Sequence, residues 1–154
     1  MKPNYLVIPA LTFLIASFGS WLTGQGMNWY KTINLPAWTP PGSIIGTVWT
    51  VIFILATISA LIVWNRCYTE KNFWLIIFIF IINAFLNVGW SYLFFNLNLI
   101  GPAIIEAGVL GLSVLALIIL IWPYSAAAAI LLLPYMLWVF FATYLTYSIW
   151  LLNK

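Results

Sequence analysis

The chain has 154 residues, of which 66% are hydrophobic and 5% charged, with a formal net charge of +3 and a mean hydropathy of +1.12. This composition excludes a soluble domain, because too few polar side chains remain to cover a single apolar core. The five cations are scattered and form no basic patch, so no nucleic-acid partner is expected.

Five continuous apolar runs are each long enough to cross a bilayer core of roughly 30 Å, which takes about 20 helical residues. Backbone groups in lipid need internal partners, and these runs do not alternate as barrel strands do. The predicted fold class is therefore all-α, an integral membrane bundle of five transmembrane helices embedded in the lipid bilayer. A single domain spans residues 1–154, with predicted helices at approximately 5–23, 43–64, 73–95, 100–122 and 126–152.

Five crossings place the two ends of the chain on opposite sides of the membrane, which we call the N-terminal face and the C-terminal face. The N-terminal face carries Lys2, Arg66 and Lys71, whereas the C-terminal face carries Lys31 and Lys154. Three cations against two is a weak signal for a cytoplasmic N-terminal face, so the orientation stays open. We expect a multi-pass protein of the cell membrane.

The connection 27–42 is the longest segment between two predicted helices, and it combines large aromatic side chains with three prolines. The aromatic residues are Trp29, Tyr30 and Trp38, and the prolines are Pro36, Pro40 and Pro41. A loop stiffened by prolines suits a lid better than a flexible linker. We therefore expect 27–42 to be a lid at the C-terminal face.

The ten tryptophans are divided unevenly between the two faces. Trp64, Trp74 and Trp122 lie at the N-terminal face, where an interfacial belt explains them. The other seven lie at or near the C-terminal face or, for Trp138, nearer the middle of the fifth helix; they are Trp21, Trp29, Trp38, Trp49, Trp90, Trp138 and Trp150. Two interpretations remain open for this group, a girdle with core packing and an aromatic cavity open toward the C-terminal face.

Two helices carry stripes that could face such a cavity. Asn83, Asn87 and Trp90 share one side of the third helix, where the amides either bond to other helices or contact a ligand, Asn87 lying closer to the C-terminal face. On the fifth helix the shared stripe is Trp138, Ala142, Leu145 and Thr146. A small residue beside Trp138 makes room either for a flat ligand or for a neighbouring helix.

The fourth helix holds Glu106, the only acidic residue within a span. An intramembrane acid is either functional or simply neutral and hydrogen-bonded to a neighbour. On the same helix Ala103, Ala107 and Gly111 form a ridge of small residues that serves close packing within the bundle or self-association.

The chain lacks histidine, paired carboxylates, a nucleophile with a base and a phosphate-binding glycine loop. Hydrolysis, phosphoryl transfer and metal chemistry therefore have no visible residues to support them, and we expect no metal site and no required cofactor. An enzyme of this composition would have to use the photochemistry of a bound pigment. A haem would be held by stacking and carboxylate contacts, since no proximal imidazole is present.

Several motifs resemble those of the translocator protein family, also called tryptophan-rich sensory proteins or peripheral benzodiazepine receptors, in its bacterial form. The first loop and second helix carry WY at 29–30, LPAWTPP at 35–41 and GTVW at 46–49. The third helix carries LN at 86–87, Trp90 and FF at 94–95. The fifth carries PY at 134–135, Trp138, FAT at 141–143, Leu145 and Tyr147.

The resemblance implies a five-helix membrane protein, often dimeric, whose pocket beneath the first loop binds porphyrins such as protoporphyrin IX and haem. It also implies binding of aromatic drug-like ligands of the isoquinoline carboxamide and benzodiazepine types. By position, Trp49, Asn87, Trp90, Trp138, Ala142 and Leu145 would line the pocket, with Tyr30 and Trp38 in its lid. If the protein degrades protoporphyrin in light, as some bacterial relatives are linked to doing, Trp49 and Trp138 would be the electron-rich partners.

The sequence departs from the family pattern in two places. Thr146 stands where the mammalian pattern has an asparagine. The mammalian members are associated with cholesterol, and their recognition motif places a Lys or Arg shortly after a tyrosine. Here Lys154 lies one residue too far beyond Tyr147 to complete that motif. We therefore expect a binding protein or sensor for a flat aromatic molecule and no sterol recognition through that motif. A photo-oxidative enzyme is the second hypothesis, and a porphyrin transporter is the third.

Overall fold

The computed structural model describes residues 2–154 and contains six α-helices and one π-helical segment. The helices are α1 (Asn4–Tyr30), α2 (Gly42–Arg66), α3 (Phe73–Ser91), α4 (Ile100–Ile121), α5 (Ala126–Ile130) and α6 (Leu133–Leu152), and the π-helical segment (Tyr92–Asn96) continues α3. Five stretches of the described chain are long and apolar enough to cross a membrane, α5 and α6 together forming the fifth. The predicted all-α membrane fold of five spans is confirmed.

The first helix is longer than predicted. It continues to Tyr30, so the connection to α2 covers 31–41 and the predicted lid 27–42 was too long at both ends. Residues 24–28 include two glycines, each of which lowers helix propensity by about 1 kcal/mol. Packing overrides that preference, since Gly26 is buried against the end of the third span. Tyr30 therefore belongs to a helix and not to the lid.

The π-helical segment explains how α1 comes so close. The amide of Leu97 donates to the carbonyl of Tyr92 at 3.0 Å, five residues back, and this wider turn allows the adjacent residues Phe94 and Phe95 both to be buried. A Cβ added at Gly26 would lie 2.6 Å from the carbonyl carbon of Phe95 and would overlap its oxygen. Only glycine fits at this crossing.

The fifth span is interrupted, whereas one continuous helix was predicted over 126–152. Pro134 has no amide hydrogen to donate to the carbonyl four residues earlier, and α5 ends at that residue, Ile130. The chain forms a tighter turn there, in which the amide of Leu132 donates to the carbonyl of Ala129, three residues earlier, at 3.0 Å. The next helix, α6, begins at Leu133. The break lies toward the N-terminal face.

The main core also lies toward the N-terminal face, where α4 packs between α3 and α6. The ridge of Ala103, Ala107 and Gly111 is buried, and a Cβ at Gly111 would lie 3.3 Å from the Phe140 ring. This ridge therefore serves packing within the bundle. The Ser59 hydroxyl donates to the carbonyl of Ala128 at 2.8 Å and ties α2 to α5, while α2 touches α3 and α6 only slightly. Space is thus left beside α2 toward the C-terminal face.

Candidate ligand-binding cavity

A cavity of about 490 Å³ fills this space and lies between α1, α2, α3 and α6. Its walls are mainly apolar and aromatic, and α4 contributes Ala107 and Leu110. Aromatic walls with few polar groups and a volume in this range are typical of sites for small organic molecules.

Seven of the eight residues predicted to bind a ligand line this one cavity. They are Tyr30, Trp49, Asn87, Trp90, Trp138, Ala142 and Leu145. Tyr30 contributes from the last turn of α1, although the sequence placed it in a lid. Thr146, from the same stripe as Trp138, also lies in the wall. The binding roles of these residues stay predictions.

Trp38 is the residue that the structure does not bring into the wall. Its indole is 46% exposed and stacks on the Tyr144 ring, with centroids 5.5 Å apart and planes at 14°. It also meets the Phe141 ring edge-on at 5.9 Å, and Phe141 does line the cavity. Trp38 therefore lies behind the wall and anchors the loop to α6.

A second contact fastens the loop 31–41 to the end of α6. The backbone amide of Asn34 donates to Oδ1 of Asn153 at 2.9 Å, and Nδ2 of Asn153 donates to the carbonyl of Asn34 at 2.8 Å. Nδ2 of Asn153 also donates to the carbonyl of Ile149 at 2.7 Å, which fixes the asparagine on its own helix. With Trp38, this pair holds the loop to α6 at two points.

The buried asparagines of α3 join a hydrogen-bonded chain across three helices. The Tyr135 hydroxyl donates to Oδ1 of Asn83 at 3.0 Å and accepts from Nδ2 of Asn87 at 3.1 Å. Nδ2 of Asn83 donates to the Ser113 hydroxyl at 2.8 Å, and that hydroxyl donates to the carbonyl of Leu110 at 2.7 Å. Interhelical bonding is therefore what the structure shows for Asn83, while Asn87 both bonds and lines the cavity.

Replacing Tyr135 with Phe is expected to lower the free energy of unfolding by about 1–3 kcal/mol, because two buried amides would lose a partner each. The ring would stay in place against Trp49, at 5.9 Å between centroids. The measurement is unfolding of the purified protein in a denaturing detergent. Tyr144→Phe is the matched control, since Tyr144 is exposed; equal unfolding of the two variants would show that the chain of bonds contributes nothing.

Two indole N–H groups of the wall have no hydrogen-bond partner in the part of the chain that the structure describes. They belong to Trp90 and Trp138, and both nitrogens are buried. The Trp90 ring stacks on Phe94 at 5.2 Å, and the Trp138 ring lies 5.1 Å from Phe141, so their neighbours are aromatic rings. Both N–H groups are therefore donors that the described part of the chain leaves unpaired.

Apart from Tyr30, the cavity residues of α1 were not predicted. Ala16, Gly19, Ser20 and Thr23 line it, and their helical spacing of small residues was the available signal. The exposed lining residues are all on α1 or α2; they are Ser20, Gly42, Gly46 and Thr50. The solvent-accessible part of the lining therefore lies on these two helices.

The remaining features of interest lie outside the cavity. Glu106 faces α3, where a Cβ at Gly89 would lie 3.6 Å from its Oε1, and both of its carboxylate oxygens are buried without a hydrogen-bond partner in the described residues. Trp21 and Trp150 are exposed, as an interfacial girdle requires. Trp49, Trp90 and Trp138 thus lie in the cavity wall, and the interfacial belt stays a prediction for the exposed tryptophans.

These observations define a multi-pass helical membrane protein with an aromatic internal cavity near one end of its bundle. The family model of the TspO/MBR family matches residues 7–151, and the chain belongs to that family. The family predicted from the motifs is confirmed.

Individual relatives cover almost the whole chain. A Tryptophan-rich protein TspO of Bacillus cereus is 34% identical over 154 residues, covering 99% of both chains. Another protein of that name, from Archaeoglobus fulgidus, is 35% identical over 96% of both chains. The Translocator protein of Homo sapiens is 28% identical over 93% of this chain and 89% of its own length. Dimerisation, the ligand and the particular membrane stay predictions.

Proposed function

We propose that this protein is a binding protein or sensor of the cell membrane for tetrapyrroles such as protoporphyrin IX and haem, and for aromatic drug-like ligands of the isoquinoline carboxamide and benzodiazepine types. The observation that carries the proposal is the convergence of Trp49, Trp90 and Trp138 on one largely apolar cavity. Flat conjugated molecules are stabilised by stacking on such rings. No further cofactor is required for binding.

The polar groups of the cavity suit ligands that carry oxygen acceptors. The free N–H groups of Trp90 and Trp138 match a porphyrin propionate or an amide carbonyl. A bicyclic drug-like ligand fits within a cavity of about 490 Å³, whereas a macrocycle would extend toward the exposed lining residues of α1 and α2. Such apolar molecules dissolve in lipid and would reach the cavity from the membrane.

The test is a titration of the purified protein with protoporphyrin IX in the dark, followed by the Soret absorbance. Trp138→Phe keeps an aromatic ring and removes the N–H, so we expect the affinity to fall roughly 3- to 10-fold, as the loss of about one hydrogen bond implies. Trp21→Phe is the matched control, because Trp21 is exposed, stacks on Phe18 at 5.6 Å and does not line the cavity. The same affinity in both variants would remove Trp138 from the site.

Light-dependent degradation of the bound porphyrin is the second candidate function. It is favoured by two electron-rich indoles, Trp49 and Trp138, in the wall of the same cavity. Since no acid–base pair lies there, the excited pigment itself would have to supply the reactivity.

The degradation hypothesis predicts that the Soret band of the complex decays under illumination in air and persists in the dark. In the double variant Trp49→Phe with Trp138→Phe, we expect the decay to slow to the rate of free pigment. Protein in excess, at a concentration that binds nearly all of the pigment in either variant, separates this effect from weaker binding. Decay at an unchanged rate in the double variant would show that these two indoles take no part in the degradation.

A further inference from the structure

A second pocket, of about 340 Å³, lies at the N-terminal face, at the opposite end of the bundle from the aromatic cavity. It is formed by the beginning of α1, the last turns of α2 and the residues that follow α2. The residues that matter are Lys2, Asn4, Asn65 and Arg66, with Trp64 and Tyr68 as aromatic walls. Neither the family resemblance nor the proposed ligand explains this cluster.

The pocket holds hydrogen-bond donors and positive charge. Asn4 is only 7% exposed, and its Nδ2 is buried with no partner within residues 2–154. Lys2 and Arg66 are exposed at the rim, and the only acid on this face, Glu70, is exposed as well. The positive end of the α1 dipole also lies here. An unpaired buried amide beside two cations favours an anionic group with several acceptor oxygens.

The pocket also holds an acceptor that needs a donor. Nδ2 of Asn65 donates to the carbonyl of Leu61 at 2.8 Å, which leaves Oδ1 buried and without a partner in the described chain. A bare phosphate ion would satisfy the donors and leave this oxygen unpaired. The occupant should therefore combine an anionic group with a hydroxyl.

The walls place the pocket at the depth of lipid headgroups. Trp64 and Tyr68 both lie edge-on to the fully buried Phe73 ring, at centroid distances of 5.4 and 5.2 Å. Indole and phenol rings concentrate at the membrane–water interface. Just beyond the pocket, the first turns of α1 expose Leu6 and Val7, an apolar surface suited to acyl chains.

We propose that this pocket is a binding site for an anionic phospholipid with a hydroxylated headgroup. Lys2, Arg66 and Nδ2 of Asn4 bind the phosphate oxygens, and a headgroup hydroxyl donates to Oδ1 of Asn65. The bound lipid fixes the beginning of α1 against the end of α2.

The test is native mass spectrometry of the full chain in detergent, with phosphatidylglycerol or phosphatidylcholine added. We expect one phosphatidylglycerol to be retained preferentially, and its affinity to fall roughly fivefold for each cation removed in Lys2→Gln with Arg66→Gln. The matched control is Lys31→Gln with Lys154→Gln, which removes the same charge from the C-terminal face and should leave that affinity unchanged. Equal losses in the two double variants would overturn the site, as would equal retention of phosphatidylcholine.

Two further measurements test the polar contacts and whether the bound phosphate belongs to a lipid or to a free phosphate ester. Phosphatidylmethanol has the anionic phosphate without hydroxyls, so wild type should prefer phosphatidylglycerol, and Asn65→Leu should abolish that preference. Asn4→Leu should weaken both lipids. Glycerol phosphate at millimolar concentration should not displace the lipid; displacement would show a site for free phosphate esters and would contradict the proposal, as would an unchanged preference in Asn65→Leu.

Discussion

Ala142→Phe is expected to weaken protoporphyrin IX binding roughly 10- to 100-fold, because the new ring would occupy the space that the ligand needs. Ala142 lies in the cavity wall on α6, beside Trp138 and Leu145. The cavity has room for the added ring, so the fold should be retained. Binding is measured in the dark by the Soret absorbance, and the fold is checked by thermal unfolding.

Ala10→Phe is the matched control for this substitution. Ala10 is exposed on α1 and lies outside the cavity. The added ring would therefore point into the surrounding lipid. We expect wild-type affinity in this variant. If Ala142→Phe binds as tightly as Ala10→Phe, the ligand occupies another place.

Gly26→Ala is expected to cost about 3 kcal/mol or more of unfolding free energy, the upper range for overpacking, because the added methyl group overlaps a backbone carbonyl. The obstacle is the carbonyl of Phe95 in the π-helical segment, with the Phe95 Cβ 2.6 Å from the new atom. No side-chain rotation relieves such an overlap, so α1 would have to move away. Phe95 also lines the cavity, so ligand affinity should fall with stability.

Gly24→Ala, two residues earlier on the same helix, is the control for Gly26→Ala. A Cβ at Gly24 meets nothing within 4 Å. There we expect stabilisation of about 0.5–1 kcal/mol, since alanine is the better helix former. Unfolding in denaturing detergent compares the two variants, and similar stabilities would contradict the close crossing of α1 and the π-helical segment.

Much of this architecture could be predicted because few backbone structures satisfy all their hydrogen bonds inside a membrane. Apolar runs of this length must be helices, and the runs from Ser43 and Phe73 onward coincide closely with α2 and α3. Stripe periodicity also identified cavity residues on single helices, such as Asn87 with Trp90 and Trp138 with Ala142.

The features that were missed depend on contacts between distant segments. The residues around Gly26 do not indicate that it packs against the π-helical segment and stays in a helix for that reason. Likewise, Trp38 stacks on Tyr144, which lies 144 − 38 = 106 residues further along the chain. The break before Pro134 did have a local signal, the missing amide hydrogen of proline.

The family match and the five spans establish a multi-pass membrane protein of the TspO/MBR family. The aromatic cavity is the proposed ligand-binding site. The most direct test of that location is an experimental structure of the protein with protoporphyrin IX. The macrocycle should lie inside the cavity in contact with Trp90 and Trp138, with an oxygen of the ligand within hydrogen-bond distance of an indole nitrogen. A macrocycle bound on the lipid-facing surface, with the cavity closed by side chains, would contradict the proposal.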